Sequence, residues 1–231
     1  MNITWLGHSG FRIEIENAVL LVDPWLAGNP SFPEGREAEA TAGATHVLLT
    51  HGHGDHASNA LAIAKAAGIP IVCIHELSEI LAAEGAEVVG FGKGGTVDCG
   101  GAKVTMVHAL HSSSVDFRGG APAYAGGEAG FVIRGEDRSV YLSGDTDVMA
   151  DMAVIADRYK PDIGILCAGG HYTMDMEGAA YAARRYFDFS VVIPCHYKTF
   201  PLLAQDAEAL RNGLPAGVRL IEPVVLDPIT L

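Results

Sequence analysis

The sequence predicts an α+β fold in which helices cover the faces of β-sheets. Predicted strands and helices occur in mixed order, with antiparallel hairpins as well as crossover connections. No Gly-x-Gly-x-x-Gly segment follows a strand and no phosphate-binding loop pattern is present, which argues against a doubly wound dinucleotide-binding fold. A chain of 231 residues, 49% apolar and 19% charged, is expected to form one packed domain over residues 1–231.

The first half of the chain is rich in predicted strands. Residues 3–7, 11–16 and 18–24 predict a meander with tight turns. The segment 25–43 carries Gly, Pro and charged residues, which is typical of a surface loop. The elements predicted next are a buried strand over 46–51, a helix over 57–68 that stops at Gly68, a strand over 69–74, a helix over 76–85, and strands with Gly-rich turns over 86–109.

The second half predicts strands and helices in alternation. Residues 110–128 form a loop that is long for a compact domain, and loops of this length are often functional. The elements predicted after it are a strand pair over 129–135 and 139–145, a helix over 147–159, a strand over 161–170, a helix over 176–187, a strand over 190–196, a helix over 204–214 and a closing strand over 217–223.

The net charge of −13 excludes several function classes. A chain this acidic has no general attraction to phosphate backbones or anionic lipid, so neither nucleic-acid binding nor membrane binding is expected. The amino end shows no signal-peptide pattern, and no apolar run approaches the roughly 20 residues that span a bilayer. The four cysteines are scattered, which suits a reducing compartment, and the expected location is the cytoplasm.

A histidine-rich segment follows the strand over 46–51 and reads "THGHGDH". Imidazoles two positions apart on a tight loop can converge on one cation, so His51 and His53 are predicted to serve one metal ion. Asp55 and His56 would then turn toward a second. The alternative is a polar loop with structural histidines, but four strong ligands so close together seldom arise by chance.

One loop cannot complete two coordination shells, so further ligands are expected at other strand ends. His111 begins the long loop, Asp145 ends the strand "SVYLSGD", and His196 ends the strand "SVVIPCH". Gly52 and Gly54 alternate with the ligands of the histidine loop, and we expect them to let the backbone turn sharply without side-chain clashes.

These residues together resemble the metallo-β-lactamase-fold hydrolases, whose pattern is His-x-His-x-Asp-His, a later His, an Asp after a strand and a last His. All seven positions are filled here in that order. The segments "WLGHSGFRIE" and "IPCHYKTFP" resemble the small subgroup of metal-dependent hydrolases that includes ascorbate-6-phosphate lactonase. N-acyl phosphatidylethanolamine phospholipase D is a more distant relative. The resemblance spans essentially the whole chain. It implies a four-layer αββα sandwich with two similar halves and the site along one edge of the paired sheets.

The resemblance also implies a ligand assignment for two divalent metal ions. His51, His53 and His111 would bind the first ion, while Asp55, His56 and His196 would bind the second, with Asp145 bridging. Imidazole and carboxylate ligands suit zinc or manganese, and also iron, nickel or cobalt. The flavin-linked di-iron oxygen reductases have Glu where this chain has His53, so electron transfer at the metals is disfavoured.

The expected activity is metal-dependent hydrolysis. Two cations about 3.5–4 Å apart can share a bridging hydroxide, which attacks a carbonyl carbon or a phosphorus. Asp145 and Asp55 are candidate catalytic residues, the first by holding the metals together and the second by orienting the hydroxide. The expected substrate is a small lactone, ester or amide, phosphorylated or not. A phosphodiesterase and a non-catalytic metal or ligand sensor are the alternatives, and homo-oligomer formation is left open.

Five further residues are candidates for substrate contact or for support of the ligands. His171 in "GGHYTMD" is a candidate catalytic residue that contacts substrate, or it caps a turn. His8 lies in a turn and either faces the site or is structural. Asp23 is expected to orient a ligand imidazole through its second nitrogen. Tyr197 and Lys198 follow the last ligand and are candidates for binding a substrate anion, the alternative for Lys198 being a solvated side chain.

Overall fold

The structure, a computed structural model, describes residues 1–231 and contains sixteen strands and seven helices. The strands are β1 (Asn2–Trp5), β2 (Phe11–Ile15), β3 (Ala18–Val22), β4 (His46–Leu48), β5 (Ile71–Ile74), β6 (Val88–Phe91), β7 (Thr96–Cys99), β8 (Ala102–His108), β9 (Ser114–Val115), β10 (Ala123–Tyr124), β11 (Ala129–Gly135), β12 (Arg138–Leu142), β13 (Ile163–Cys167), β14 (Val191–Cys195), β15 (Arg219–Leu220) and β16 (Pro228–Thr230). The helices are α1 (Glu37–Thr41), α2 (Gly54–Ala57), α3 (Ala60–Ala67), α4 (His75–Ala82), α5 (Met152–Tyr159), α6 (Met176–Tyr186) and α7 (Glu208–Gly213). None of these helices has the length and apolar character needed to cross a bilayer.

Fourteen of the strands form two seven-stranded sheets. Their strand orders are β16-β1-β2-β3-β4-β5-β6 and β15-β14-β13-β12-β11-β8-β7. In both sheets an antiparallel portion gives way to four parallel strands, which are β3 to β6 in the first sheet and β12 to β15 in the second. The two halves of the chain therefore repeat one arrangement.

The strands of the first sheet send alternate side chains to its two faces, as the two-residue period of a strand requires. In β3, Leu20 and Val22 pack toward the second sheet in the larger hydrophobic core, whereas Leu21 belongs to a separate core. That second core also contains Ala60 of α3 and Leu77 of α4, so these helices cover the outer face of the sheet. Both faces of the strand are buried, which explains its unbroken apolar sequence.

The second sheet is covered in the same way by α5 and α6. Met152, Ile155 and Ala179 of these helices are buried in the larger core. The ring of Tyr141 in β12 stacks on Phe187 at the end of α6, with 5.1 Å between ring centroids. Helix, sheet, sheet and helix thus form the four layers of the predicted αββα sandwich, and the fold prediction is confirmed.

Several predicted elements differ from the structure. The segment 25–43 contains the short helix α1, and the long loop over 110–128 contains the hairpin of β9 and β10. Helix α5 begins at Met152 and not at residue 147, because the Asp147 backbone N–H is held by the Leu110 carbonyl. Strand β16 was not predicted, since only its pairing with β1 at the sheet edge makes it a strand.

The fully buried Tyr141 hydroxyl has no hydrogen-bond partner, which gives a stability prediction. Tyr141→Phe removes an unpaired polar group and should leave the free energy of unfolding unchanged or raise it by about 1 kcal/mol. Tyr141→Ala should lower it by about 3–5 kcal/mol, because it leaves a cavity under Phe187. Urea unfolding followed by circular dichroism would measure both. A loss well above about 1 kcal/mol in the Phe variant would show that the hydroxyl is bonded.

Candidate metal centre

The predicted ligands lie on loops that follow the carboxyl ends of strands in both sheets. The histidine loop follows β4, Asp145 follows β12 and His196 follows β14 directly. The loop after β8 carries His111. Because the two sheets pack face to face, these four strand ends meet at one edge of the sandwich. All seven predicted ligands therefore come together there, in three overlapping groups of candidate ligand atoms.

The first group consists of three histidines, His51, His53 and His111. Their candidate ligand nitrogens all lie within 4.8 Å of one another. Nε2 of His51 is 3.0 Å from Nδ1 of His53, and the His53 and His111 ring centroids are 5.3 Å apart. His51 is fully buried and its Nδ1 lies 3.0 Å from the Thr50 hydroxyl, which leaves Nε2 facing the other two rings.

The second group contains Asp55, His56 and His196, and also His8. Three of the four side chains are buried, whereas the Asp55 side chain is 31% exposed. Nε2 of His56 and Nε2 of His196 are each 3.9 Å from the Asp55 carboxylate. The opening to solvent is therefore on the Asp55 side of this group.

Asp145 lies between the two groups. Its Oδ2 is 3.0 Å from Nε2 of His196 and 3.3 Å from Nε2 of His56, both in the second group. The same oxygen is 3.7 Å from Nε2 of His111, in the first group. One buried carboxylate oxygen thus faces both sets of histidines.

Several atoms at the centre of the cluster are buried without a hydrogen bond of good geometry, and the two imidazole nitrogens among them contact only Asp145 Oδ2 closely. They are His56 Nε2, His196 Nε2 and Asp145 Oδ1. An unpaired buried polar atom costs about 1–3 kcal/mol, and three so close together are hard to maintain without a partner. A divalent cation would serve all of them, and imidazole with carboxylate is a donor set that such cations accept. The residues of the cluster therefore fit bound metal.

The electrostatics of the cluster lead to the same conclusion. Burial lowers the pKa of His51 well below its usual range, so this imidazole is neutral, as a metal ligand must be. Burial would raise the pKa of Asp145, but His196 and His56 outweigh this effect and hold it well below its usual range. Burial would lower the pKa of His56, yet Asp145, Asp55 and Asp23 together raise it well above normal. The carboxylates therefore favour positive charge at the centre of the cluster.

Asp23 supports the ligands from behind. This fully buried residue follows β3, and its carboxylate accepts hydrogen bonds from the Thr50 backbone N–H at 2.8 Å and the Thr50 hydroxyl at 2.6 Å. His56 Nδ1 lies 2.9 Å from the same carboxylate, so it donates there and leaves Nε2 facing the cluster. This placement matches the predicted task of Asp23, and carboxylate support of this kind is common behind metal-binding histidines.

His8 is held between a hydroxyl and a carboxylate. Its Nδ1 is 2.9 Å from the Thr199 hydroxyl and its Nε2 is 3.0 Å from Asp55 Oδ2. Burial lowers the pKa of His8 to about 4, although the hydrogen bond with Asp55 opposes this, so the ring carries a single N–H at neutral pH. Ionised Asp55 can only accept, so Nε2 of His8 donates to it, and Nδ1 faces the Thr199 hydroxyl. His8 thus fixes the orientation of Asp55.

The backbone is strained around the cluster. His8, Asp23 and His196 have φ values of 52°, 45° and 56°, in the left-handed region that non-glycine residues seldom adopt. Strain of this kind costs about 1–3 kcal/mol per residue and concentrates at functional sites. Three such residues around one cluster indicate that the fold positions it at the expense of stability.

Comparison with protein families gives a match over most of the chain. A family model described as the β-lactamase superfamily domain matches residues 19–197. The chain is also 64% identical to a UPF0173 metal-dependent hydrolase of Paracoccus denitrificans, over 232 residues and the full length of both proteins. The chain belongs to this family. It is a metal-dependent hydrolase with the metallo-β-lactamase fold.

Other relatives agree with this assignment. A UPF0173 metal-dependent hydrolase of a Ruegeria species is 53% identical to this hydrolase over the full length of both. Among solved structures, Igni18, a metallo hydrolase from Ignicoccus hospitalis, superposes with a TM-score of 0.83 at 31% identity, covering 100% of this chain and 98% of that one. An isothiocyanate hydrolase from Delia radicum gut bacteria shares the fold, with a TM-score of 0.77 at 20% identity, covering 100% and 99%.

Three predicted contact residues of the hydrolase lie outside the ligand groups. His171 is exposed on the loop after β13, and its ring packs edge-on against Tyr172. Tyr197 is fully buried and stacks on Trp5, with 5.8 Å between centroids. The Lys198 ammonium forms an ion pair with Glu222 at 3.2 Å. Burial of Tyr197 and pairing of Lys198 favour structural roles for both.

The structure explains Gly52 and Gly54 of the histidine loop by close packing and not by a sharp turn of the backbone. Neither has a left-handed backbone. A Cβ atom on Gly52 would lie 2.9 Å from the Cβ of Ala125, and one on Gly54 would lie 3.1 Å from the Cβ of Phe117. The long loop over 110–128 therefore packs directly on the histidine loop, and close packing is what requires glycine there.

Sequence reasoning missed four residues that support or flank the ligands. These are Thr50 on Asp23, Thr199 on His8, and the neighbouring rings of Trp25 and Phe200, which both pack against His8. Trp25 and Phe200 lie near the subgroup motifs, but nothing in the sequence indicates that they meet. Their placement depends on contacts between residues more than 170 positions apart.

The support that Asp23 gives to His56 leads to a prediction about metal affinity. Asp23→Asn weakens the hydrogen bond that orients His56 and should lower zinc affinity by about 10- to 100-fold. Competition with a chromophoric chelator would measure the change. Asp98→Asn, at an exposed acidic residue, serves as the control and should bind zinc like the unmodified protein. Equal affinity in both variants would contradict the role of Asp23.

The ligand histidines predict how metal content depends on pH. Protons compete with metal for each imidazole, so occupancy falls as the pH falls. Burial lowers the pKa of His51, so protons compete for this residue at a lower pH than for a free histidine. We expect metal loss below about pH 5. Metal analysis after dialysis at pH 7, 5 and 4 would measure it, and unchanged occupancy at pH 4 would contradict a histidine-based site.

Proposed function

We propose that the hydrolase holds two divalent cations in this cluster and uses them to cleave a small lactone, ester or amide. His51, His53 and His111 would hold one cation, while Asp55, His56 and His196 would hold the other. The observation that carries the proposal is the position of Asp145, whose Oδ2 lies within 3.7 Å of histidine nitrogens from both groups. A carboxylate in that position can be shared by both cations.

Bound cations would supply a hydroxide nucleophile at neutral pH and positive charge for the oxygen that becomes anionic. Zinc or manganese suits the donor set, and iron, nickel or cobalt would also be accepted. The other steps of the reaction would depend on the side chains of the protein. Asp55 is oriented by the His8 hydrogen bond and is partly exposed, so its ionised carboxylate can accept a hydrogen bond from a group bound at the opening.

The cysteines next to the cluster are poor alternatives as nucleophiles. Burial raises the pKa of the Cys167 thiol to about 12 and that of Cys195 well above its usual value. Both are buried, so neither offers a thiolate to a substrate at neutral pH. All four cysteines are free, which supports the further proposal of a reducing, cytoplasmic location.

The subgroup motifs support a lactone or ester over a phosphodiester. His8 in "WLGHSGFRIE" and Thr199 in "IPCHYKTFP" are the two residues that form the hydrogen-bonded support of Asp55. The preference for a lactone or ester is a proposal that rests on the resemblance of these motifs to the subgroup that includes ascorbate-6-phosphate lactonase. Phosphodiester cleavage and non-catalytic metal binding are the outcomes that the following experiment would separate from this proposal.

We expect the zinc- or manganese-loaded protein to hydrolyse at least one member of a panel of lactones, carboxylic esters and amides. Asp145→Ala should lower kcat/KM by on the order of a thousandfold, because the charge stabilisation contributed by a bound metal amounts to several kcal/mol. His53→Ala should lose metal as well as activity. His75→Ala, at an exposed histidine outside the cluster, is the control and should retain both.

Three results would contradict parts of the proposal. If the protein hydrolysed only phosphodiesters, the proposed class of lactones, esters and amides would be wrong. Two bound metals without hydrolysis of any panel member would favour a sensor. If His53→Ala or Asp145→Ala kept full metal content and full activity, the assignment of metal ligands would be wrong.

A further inference from the structure

We propose that Trp25 and Phe200 form an apolar subsite beside the Asp55 side of the cluster, and that this subsite binds an uncharged apolar group of the substrate. The inference rests on the proposed function, because it concerns the substrate class of the same site. It narrows that class to neutral esters, lactones or amides with an aromatic or alkyl substituent, and it disfavours phosphorylated ones.

The two rings lie next to each other over His8. Their centroids are 5.4 Å and 5.6 Å from the His8 centroid, and 6.0 Å from each other, with an angle of 31° between the ring planes. His8 has no exposed surface, whereas both rings are half-buried and keep part of their surface in solvent. His8 bonds directly to the partly exposed Asp55, so both rings pack against the residue that orients Asp55.

Hydrogen bonds hold the backbone of both aromatic residues in place. The Trp25 N–H donates to the Asp23 carbonyl at 2.8 Å, and buried Asn29 donates to the Trp25 carbonyl at 3.0 Å. The Phe200 carbonyl accepts from the Leu203 N–H at 3.0 Å and from the Gln205 side chain at 2.9 Å. A backbone that is fixed before binding lowers the conformational entropy lost when a ligand contacts these residues.

The charges around the opening argue against an anionic substrate. The segments 25–43, 110–128 and 197–206 contain three basic residues, and each is in an ion pair within the chain. These pairs are Arg36 with Glu39, Arg118 with Glu84, and Lys198 with Glu222. The segments 144–151 and 168–175 contain no Lys or Arg.

Phosphate recognition ordinarily uses arginine or lysine donors that are free to form charge-assisted hydrogen bonds. These five segments supply none, and the net charge of −13 repels anions from a distance. What the loops do supply beside Asp55 is aromatic surface. Apolar groups gain free energy from contact with such surface, and the gain requires no charge.

Binding can be tested without knowing the substrate. The chain has two tryptophans, and Trp5 is only 4% exposed, so quenching of fluorescence by a bound ligand reports mainly on Trp25. Phenylacetate and acetate carry the same carboxylate and differ in the ring. We expect zinc-loaded protein to bind phenylacetate at least about tenfold more tightly than acetate. Equal affinities would overturn the subsite.

Variants then test the two rings. Phe200→Ala should reduce the preference for phenylacetate to below about threefold while zinc content stays unchanged. Trp25→Ala should do the same, measured by calorimetry because the fluorophore is lost. Tyr181→Ala, at an exposed tyrosine on α6, is the matched control and should keep the full preference. An undiminished preference in both ring variants would also overturn the proposal.

Hydrolysis supplies an independent test of the substrate class. Among γ-butyrolactones, we expect the γ-phenyl derivative to have a kcat/KM on the order of 10- to 100-fold above that of the γ-carboxylate derivative. Preference for the carboxylate would overturn the subsite. If no lactone, ester or amide is hydrolysed but phenylacetate is still preferred over acetate, the proposed function fails and the apolar subsite stands.

Discussion

The geometry of the cluster depends on one buried carboxylate, that of Asp23. It receives two hydrogen bonds from Thr50 and one from His56, and thereby joins the end of β3 to the start and the end of the histidine loop. The Thr50 hydroxyl in turn contacts Nδ1 of His51. Asp23 does not reach the opening, yet it orients an imidazole in each of the two ligand groups. Its backbone is in the left-handed region, so holding Asp23 in this position costs strain energy.

A second constraint is the burial of negative charge. Asp23 and Asp145 are almost fully buried and Asp55 is mostly covered, while histidines are the only basic side chains that pair with them. Buried carboxylates without compensation are costly, and the raised pKa of His56 shows that the protein environment favours positive charge there. Divalent cations would supply that charge more completely than a single imidazolium. Metal binding and the stability of this edge of the sandwich are therefore coupled.

The duplicated sheets explain why the cluster lies where it does. Each sheet ends in four parallel strands, and the loops at their carboxyl ends carry side chains toward the edge that the two sheets share. The first sheet supplies His51, His53, Asp55 and His56, and the second supplies His111, Asp145 and His196. Neither sheet alone completes either group of ligands, so packing of the two halves is also assembly of the site.

The sequence by itself determined the chemistry and most of the strands. Imidazole and carboxylate side chains at the spacing of "HGHGDH", with His111, Asp145 and His196 after strands, already specify metal binding, because ligand type and spacing are local properties. The tertiary structure determined which groups lie behind and beside the ligands. The contacts of Thr199 with His8 and of Trp25 with Phe200, and the pairing of β16 with β1, join residues far apart in the chain. Such contacts arise from strand pairing and packing between distant segments and leave no periodic signal in the sequence.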